Sequence, residues 1–317
     1  MRLAALTALC SLAMPAMAGE FSLRQPIDCT LGETCFVQQY VDHDPGPGAQ
    51  DFTCGPQSYD GHKGTDFGLP SFAAMRAGVN VLASAPGVVM GLRDGEPDTG
   101  IGPGTQDKEC GNGVVLDHGD GWQTQYCHMK RGSVTVRKGQ RVEVGEMLGQ
   151  VGFSGQTQFP HVHLSVRRNG QVVDPFDPDG KITCGTPETR TLWQTPLPVS
   201  PGGMISAGFA PQVPEFDAVK DGSASTEQMS AQVPALVVWG YAFGSRPGDS
   251  LRIEIIGPEG PFLQTVTPLD KAQAQFFRAA GKKRPKQGFT AGRYQGYIAL
   301  IRNGKIVDDI TAHVTLR

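Results

Sequence analysis

The 317-residue sequence lacks a charge imbalance: 28 Lys and Arg stand against 31 Asp and Glu, a net charge of −3 with neutral histidines. No broad field gathers a polyanion, so the composition gives no reason to expect a nucleic-acid partner. Long heptad stretches, low-complexity tracts and repeats at solenoid periods are all missing, which excludes coiled coils and stacked-repeat architectures. What the chain has in quantity is turn formers. Its 42 glycines and 24 prolines make up about a fifth of the residues, which excludes an all-helical fold and suits short strands joined by many turns.

Arg2 is followed by an apolar run from Leu3 to Ala13, then Pro15 and the small-x-small triplet Ala16-Met17-Ala18. That is the three-part layout of a cleaved export signal, here residues 1–18, and the run is too short to span a bilayer. Cys10 lies inside the run behind the bulky Leu9, so a lipid-modified cysteine is not expected. The expectation is a soluble exported protein, periplasmic or extracellular, without stable membrane insertion. Cys29, Cys35, Cys54, Cys110, Cys127 and Cys184 remain after the leader. An even count in an oxidising compartment reads as three disulfides with fifteen connectivities. Cys29 with Cys35 is the easiest local pair, and the other pairings stay open. All six precede residue 185, so the bridges would staple the N-terminal part only.

About 300 residues then suffice for two ordinary domains. Prolines at 175, 178, 187, 196, 198 and 201 break up the text between Asp174 and Gly203. The expected division is a domain over 19–185, a linker over 186–203 and a second domain over 204–317. In the first, short alternating stretches (Val79 to Ser84, Gly113 to Asp117, Gln123 to His128, His161 to Arg167) suggest antiparallel β structure. In the second, Ala235 to Trp239, Leu251 to Ile256, Phe262 to Thr267, Tyr294 to Arg302 and Lys305 to Leu316 read as strands, with Asn303-Gly304 as a two-residue hairpin turn. Lys271 to Ala280 is ambiguous between strand and helix. The fold class is all-β, the second part being a β-sandwich, of which the immunoglobulin-like kind is one form.

Three short segments carry chemistry. His161-Val162-His163 precedes Leu164-Ser165-Val166 and the turn Asn169-Gly170, so both imidazoles should share one face of a strand. His62-Lys63-Gly64-Thr65-Asp66 lies among glycines and a proline, and its even positions His62 and Asp66 should meet on one face of an extended segment. One carboxylate and two imidazoles are borderline ligands that suit zinc, with an open fourth position describing a hydrolytic site. In Tyr126-Cys127-His128, alternation puts Tyr126 and His128 on one face and Cys127 on the other, away from a metal and free for a disulfide. Asp42-His43-Asp44 reads as a polar turn rather than a cation site. His118 and His313 belong to no motif near the metal, Tyr126 is either a substrate donor or an aromatic packed beside the site, and Lys282-Lys283-Arg284-Pro285-Lys286 reads as a solvated loop.

With these motifs in hand, the sequence resembles the lysostaphin/LytM-type zinc endopeptidases, metallopeptidase family twenty-three, over residues 55 to 178. Four motifs occur in the family's order: HKGTDF, GNGVVLDHGDG followed by YCH, VRKGQRVEVGEMLGQVGFSG, and HVHLSV. The resemblance implies a LytM-like antiparallel peptidase domain with His62, Asp66 and His163 as ligands of one zinc ion. It also implies His128 and His161 as catalytic residues, His161 the general base and His128 the oxyanion partner. The implied activity is hydrolysis of peptide bonds in peptidoglycan stem peptides or cross-bridges. Two rivals stand beside it: a non-catalytic peptidoglycan-binding or hydrolase-activating protein, and a general secreted bacteriolytic protease. None of the five residues is missing, which separates this chain from relatives expected to have lost ligands. For the C-terminal part, substrate docking, targeting and a folding role are equally open.

Overall fold

In the computed structural model, residues 20–182, 184 and 190–317 are described. The leader expected at 1–18 and residues 186–189 of the expected linker lie outside them. The N-terminal part contains β1 (Phe36–Gln39), β2 (Thr65–Gly68), the short α1 (Phe72–Ala77), β3 (Asn80–Leu82), β4 (Gly87–Arg93), β5 (Asn112–Gly119), β6 (Trp122–Met129), β7 (Arg141–Val142), β8 (Met147–Gln150), β9 (His161–Arg168) and β10 (Gln171–Val172). Eight of the strands form one antiparallel sheet in the order β1-β2-β9-β6-β5-β4-β7, with β10 paired to β9, while β3 and β8 form a separate pair.

Period-two patterning places the core under this sheet. On β9, Val162, Leu164 and Val166 are fully or almost fully buried, while His161, His163 and Ser165 take the other face. They pack with Phe52, Phe67, Phe176 and Trp193 in one apolar cluster. The β9–β10 hairpin turns on Asn169 and Gly170, with φ of 52° and 80°, the left-handed pair that a type I′ turn requires. Three disulfides fasten this part: Cys29–Cys35, Cys54–Cys184 and Cys110–Cys127. Part of the expected linker is packed rather than loose. Leu192 and Trp193 are buried in the N-terminal core and Trp193 bridges to Leu23, since two large apolar side chains gain more from that burial than from solvent.

The C-terminal part contains β11 (Gly203–Ala210), α2 (Phe216–Asp221), β12 (Gln228–Met229), β13 (Ala235–Ser245), β14 (Asp249–Gly257), β15 (Gly260–Leu269), β16 (Gln273–Lys283), β17 (Gly292–Arg302) and β18 (Lys305–Leu316). The ambiguous Lys271 to Ala280 stretch is therefore strand. A three-stranded sheet (β11-β13-β16) faces a five-stranded one (β12-β18-β17-β14-β15), making a β-sandwich around Leu236, Val238, Ile253, Ile298 and Leu300. Asn303 and Gly304 again carry positive φ, 51° and 75°. β13 is covered on both sides: its other face, with Trp239, Tyr241 and Phe243, joins Val219 of α2 and Phe36 of β1 in a second cluster. That double burial explains the nearly unbroken apolar run from Ala235 to Phe243. Phe36 and Phe243 lie 4.7 Å apart between ring centres, and Arg76 bonds Asp221 at 2.7 Å, so the sandwich is seated against β1 and α1.

Candidate active site

The β2–β9 register pairs Asp66 directly with His163, and Gly68 with His161. Directly opposed residues project to the same face of a sheet, so the carboxylate and both strand imidazoles stand together above the surface opposite the core. His62 arrives from the turn before β2, not from the strand itself. The expected single extended segment thus gives way to a turn, held by Asp42, whose carboxylate accepts from the backbone N–H groups of Gly61, Gln50 and Asp44. Asp66 Oδ1 lies 3.2 Å from His62 Nε2, 2.8 Å from His163 Nδ1 and 3.4 Å from His161 Nε2. The rings of His128 and His161 are 4.6 Å apart. All five residues named from the sequence therefore converge.

His128 reaches this face by breaking the alternation. Register places Tyr126 opposite the core residue Leu164, and Cys127 opposite His163. Cys127, not Tyr126, hence shares the His163 face, the reverse of the sequence expectation. At His128 the backbone takes φ of 61°, which turns the imidazole toward His161. Cys110 holds that conformation, its carbonyl accepting from His128 N at 2.8 Å while its sulfur is bonded to Cys127. Tyr126 is fully buried, and its hydroxyl accepts from Ser84 N at 2.7 Å. It belongs to the core.

Each imidazole is tied by its other nitrogen, which sets where its proton sits. His62 Nδ1 donates to the Tyr40 carbonyl at 2.6 Å, His128 Nδ1 to Ser154 at 2.8 Å, and His161 Nδ1 to Phe159 at 3.0 Å. Because a carbonyl cannot donate, these three nitrogens carry hydrogen, and each Nε2 presents a lone pair to the site. His163 is reversed: its Nε2 donates at 3.0 Å to Ser165 Oγ, which itself donates to the Lys63 carbonyl, leaving Nδ1 bare. Nothing in the sequence marks Tyr40, Ser154 or Ser165 for these tasks. Tyr59 was equally unmarked; half exposed, its ring lies 4.4 Å from that of His62.

The charge states follow the same surroundings. Burial alone would raise Asp66, but the imidazoles of His62, His161 and His163 gathered around it hold its carboxyl well below the usual range. Burial pushes His163 down despite Asp66, and pushes His128 far down with help from His161 and His163. Burial would lower His62, but Asp66, together with the Tyr40 carbonyl and Asp42, draws it up.

The bare nitrogens of His62 and His163 lie 3.1 Å apart, beside a carboxylate. Two lone pairs so close repel unless a proton or a metal cation sits between them. The three separations, 2.8 to 3.2 Å, approach the roughly 3.3 Å edge of a tetrahedron with zinc-like bond lengths. This donor set therefore fits a small divalent cation.

Residues 60–175 match the profile of peptidase family M23, and that span contains all five residues. The chain is 34% identical over 117 residues to the cell division protein DipM of Caulobacter vibrioides, covering 36% of this chain and 18% of that protein. It is 29% identical over 127 residues to the peptidoglycan DD-endopeptidase ShyA of Vibrio cholerae, covering 40% and 25%. It is 32% identical over 129 residues to the DD-carboxypeptidase/endopeptidase Mpg of Neisseria meningitidis, covering 40% and 24%. The chain thus spans a quarter or less of the length of these relatives. Family match, ordered motifs and converging side chains agree: the segment 60–175 of this chain belongs to peptidase family M23.

Proposed function

We propose that this protein is an exported zinc endopeptidase that hydrolyses peptide bonds in peptidoglycan stem peptides or cross-bridges. One observation carries the reading: His62, Asp66 and His163 turn possible ligand atoms on a common point, with two further imidazoles beside it. These three residues would hold the metal, which supplies Lewis-acid polarisation of the scissile carbonyl and a water made more acidic. His161 Nε2, its other nitrogen anchored on Phe159, would take a proton from the attacking water. The proton that His161 takes from the water is the one available to the leaving amine, and His128, anchored through Nδ1 on the Ser154 carbonyl, would serve as oxyanion partner in the form that also carries a proton on Nε2. The wall peptide as substrate rests on the family and on the named activities of ShyA and Mpg. Export rests on the leader-like residues 1–18 and on the disulfides. Among the described residues no helix is long and apolar enough to cross a membrane.

The full set of five side chains favours catalysis over a binding-only role. Purified sacculi and casein, each incubated with the protein with and without a chelator, test the reading. Chelator-sensitive release of soluble muropeptides with intact casein is the expected result. Casein loss would point to a general protease, and no metal-dependent product from either would end the hydrolase reading.

A further inference from the structure

Where β1 meets the sandwich, a cavity of about 180 Å³ opens between the two parts of the chain. Gln57 and Ser58 line it from one side, Ser245, Ala272 and Ala274 from the other. No Asp, Glu, Lys or Arg lines it, so a charged group entering would lose hydration without finding a counter-ion. Its volume equals about six waters at liquid density, enough for one residue-sized polar group.

The width of the cavity is fixed. Gln38 Nε2 donates to the Ala274 carbonyl at 2.7 Å, and Gln38 Oε1 accepts from Gln275 Nε2 at 3.0 Å, tying β1 to β16. Ser58 Oγ donates to the Tyr40 carbonyl at 2.9 Å and Ser245 Oγ to that of Lys271 at 2.8 Å. Each hydroxyl has thereby used its proton and keeps lone pairs for accepting. Gln57 differs: it is 4% exposed, and its side-chain nitrogen has no partner. Leaving such a donor unpaired costs about 1–3 kcal/mol, so the position is poor for stability alone. A cavity lined by a residue with an unpaired amide donor and by two hydroxyl acceptors, without charge, has the complement of a secondary amide.

We infer that this cavity is a subsite for a secondary amide group, its carbonyl taken by Gln57 and its N–H by Ser58 or Ser245. Two sources share that chemistry: a peptide backbone and the acetamido group of an amino sugar. The Tyr40 carbonyl that receives Ser58 Oγ also receives His62 Nδ1, so the subsite lies one backbone carbonyl away from the candidate metal centre. A substrate long enough to engage both would reach the sandwich, which would give the C-terminal part a docking role. Only the assignment of the ligand to the wall substrate rests on the proposed function; the subsite itself does not.

The test is a titration of the full, isotope-labelled chain, freed of metal by a chelator, with N-acetylalanine methylamide and with N-acetylglucosamine, following the Gln57 side-chain amide resonance. The expected result is a saturable shift with one probe at millimolar concentration, weakened at least about tenfold by Gln57→Leu. The responding probe names the source. Ala272→Trp, at an exposed rim position, should block the same probe with the fold intact. No saturable shift with either probe, or equal binding by Gln57→Leu and wild type, overturns the inference. Since the titration uses metal-free protein, it succeeds or fails independently of hydrolysis.

Discussion

Asp66 and His163 are direct partners across β2 and β9, and that pairing alone brings Asp66 Oδ1 within 2.8 Å of His163 Nδ1. The candidate centre is thus set by sheet register. A slip of one residue would send every side chain of β9 to the opposite face, burying the imidazoles and exposing Val162 and Leu164.

His161→Ala and His128→Ala should keep the metal while the hydrolysis rate falls by about a hundredfold or more, the usual worth of a positioned acid or base. Steady-state kinetics on a defined muropeptide, with metal content measured on the same samples, reads this. Loss of metal equal to the loss of rate in both variants would contradict the division of roles.

The Cys110–Cys127 bridge should matter to His128 as well as to stability. Its residues are 17 apart in sequence, and removing a cross-link of that span costs about 3 kcal/mol in the chain-entropy account. The Cys110→Ser/Cys127→Ser protein should melt lower and also lose kcat with little change in KM, because His128 leaves its left-handed conformation. A lower melting temperature with unchanged kcat would show that the bridge does not position His128.

Two glycines in the 136–153 segment separate space from conformation. A Cβ at Gly152 would overlap the backbone N and Cα of Lys130, and neither can yield, so Gly152→Ala should cost about 3 kcal/mol. At Gly139 a Cβ meets nothing within 4 Å, but φ is +83°, so Gly139→Ala should cost about 1 kcal/mol. Chemical unfolding of both variants checks the order; equal losses would refute it.

His43 bonds Asp174 at 2.9 Å. Burial would lower the imidazole, but the Asp174 carboxylate raises it above the ordinary value. A raised folded pKa adds stability below the unfolded value of about 6.5 and loses it as pH climbs through the folded one. The melting-temperature gap between wild type and His43→Gln should therefore be wider at pH 6 than at pH 8.5. A gap independent of pH would show that the pair is not charged.

Much of this was legible in the residues. The HxH spacing put two imidazoles on one face because β9 is a regular strand with an apolar opposite face, and Asn169-Gly170 and Asn303-Gly304 turned as their composition requires. Alternation failed at Tyr126-Cys127-His128 because one positive φ reverses the period, and no sequence signal announces it in a histidine. The turn carrying His62 was hidden for a similar reason: its fixing bonds come from Asp42, twenty positions earlier. Trp193 lay in a proline-rich stretch whose composition reads as linker, yet a long-range β-bridge to Leu23 ties it down. The carbonyls that set the imidazole tautomers are backbone groups, which side-chain identity does not reveal.

The most direct measurement is elemental analysis of the purified chain and of His163→Ala after dialysis, with muropeptide release assayed on the same samples. The account predicts one zinc per wild-type chain with activity, and loss of both in His163→Ala. Wild-type protein that cleaves wall peptide without bound metal, or a His163→Ala chain that keeps a full equivalent of zinc, would contradict it.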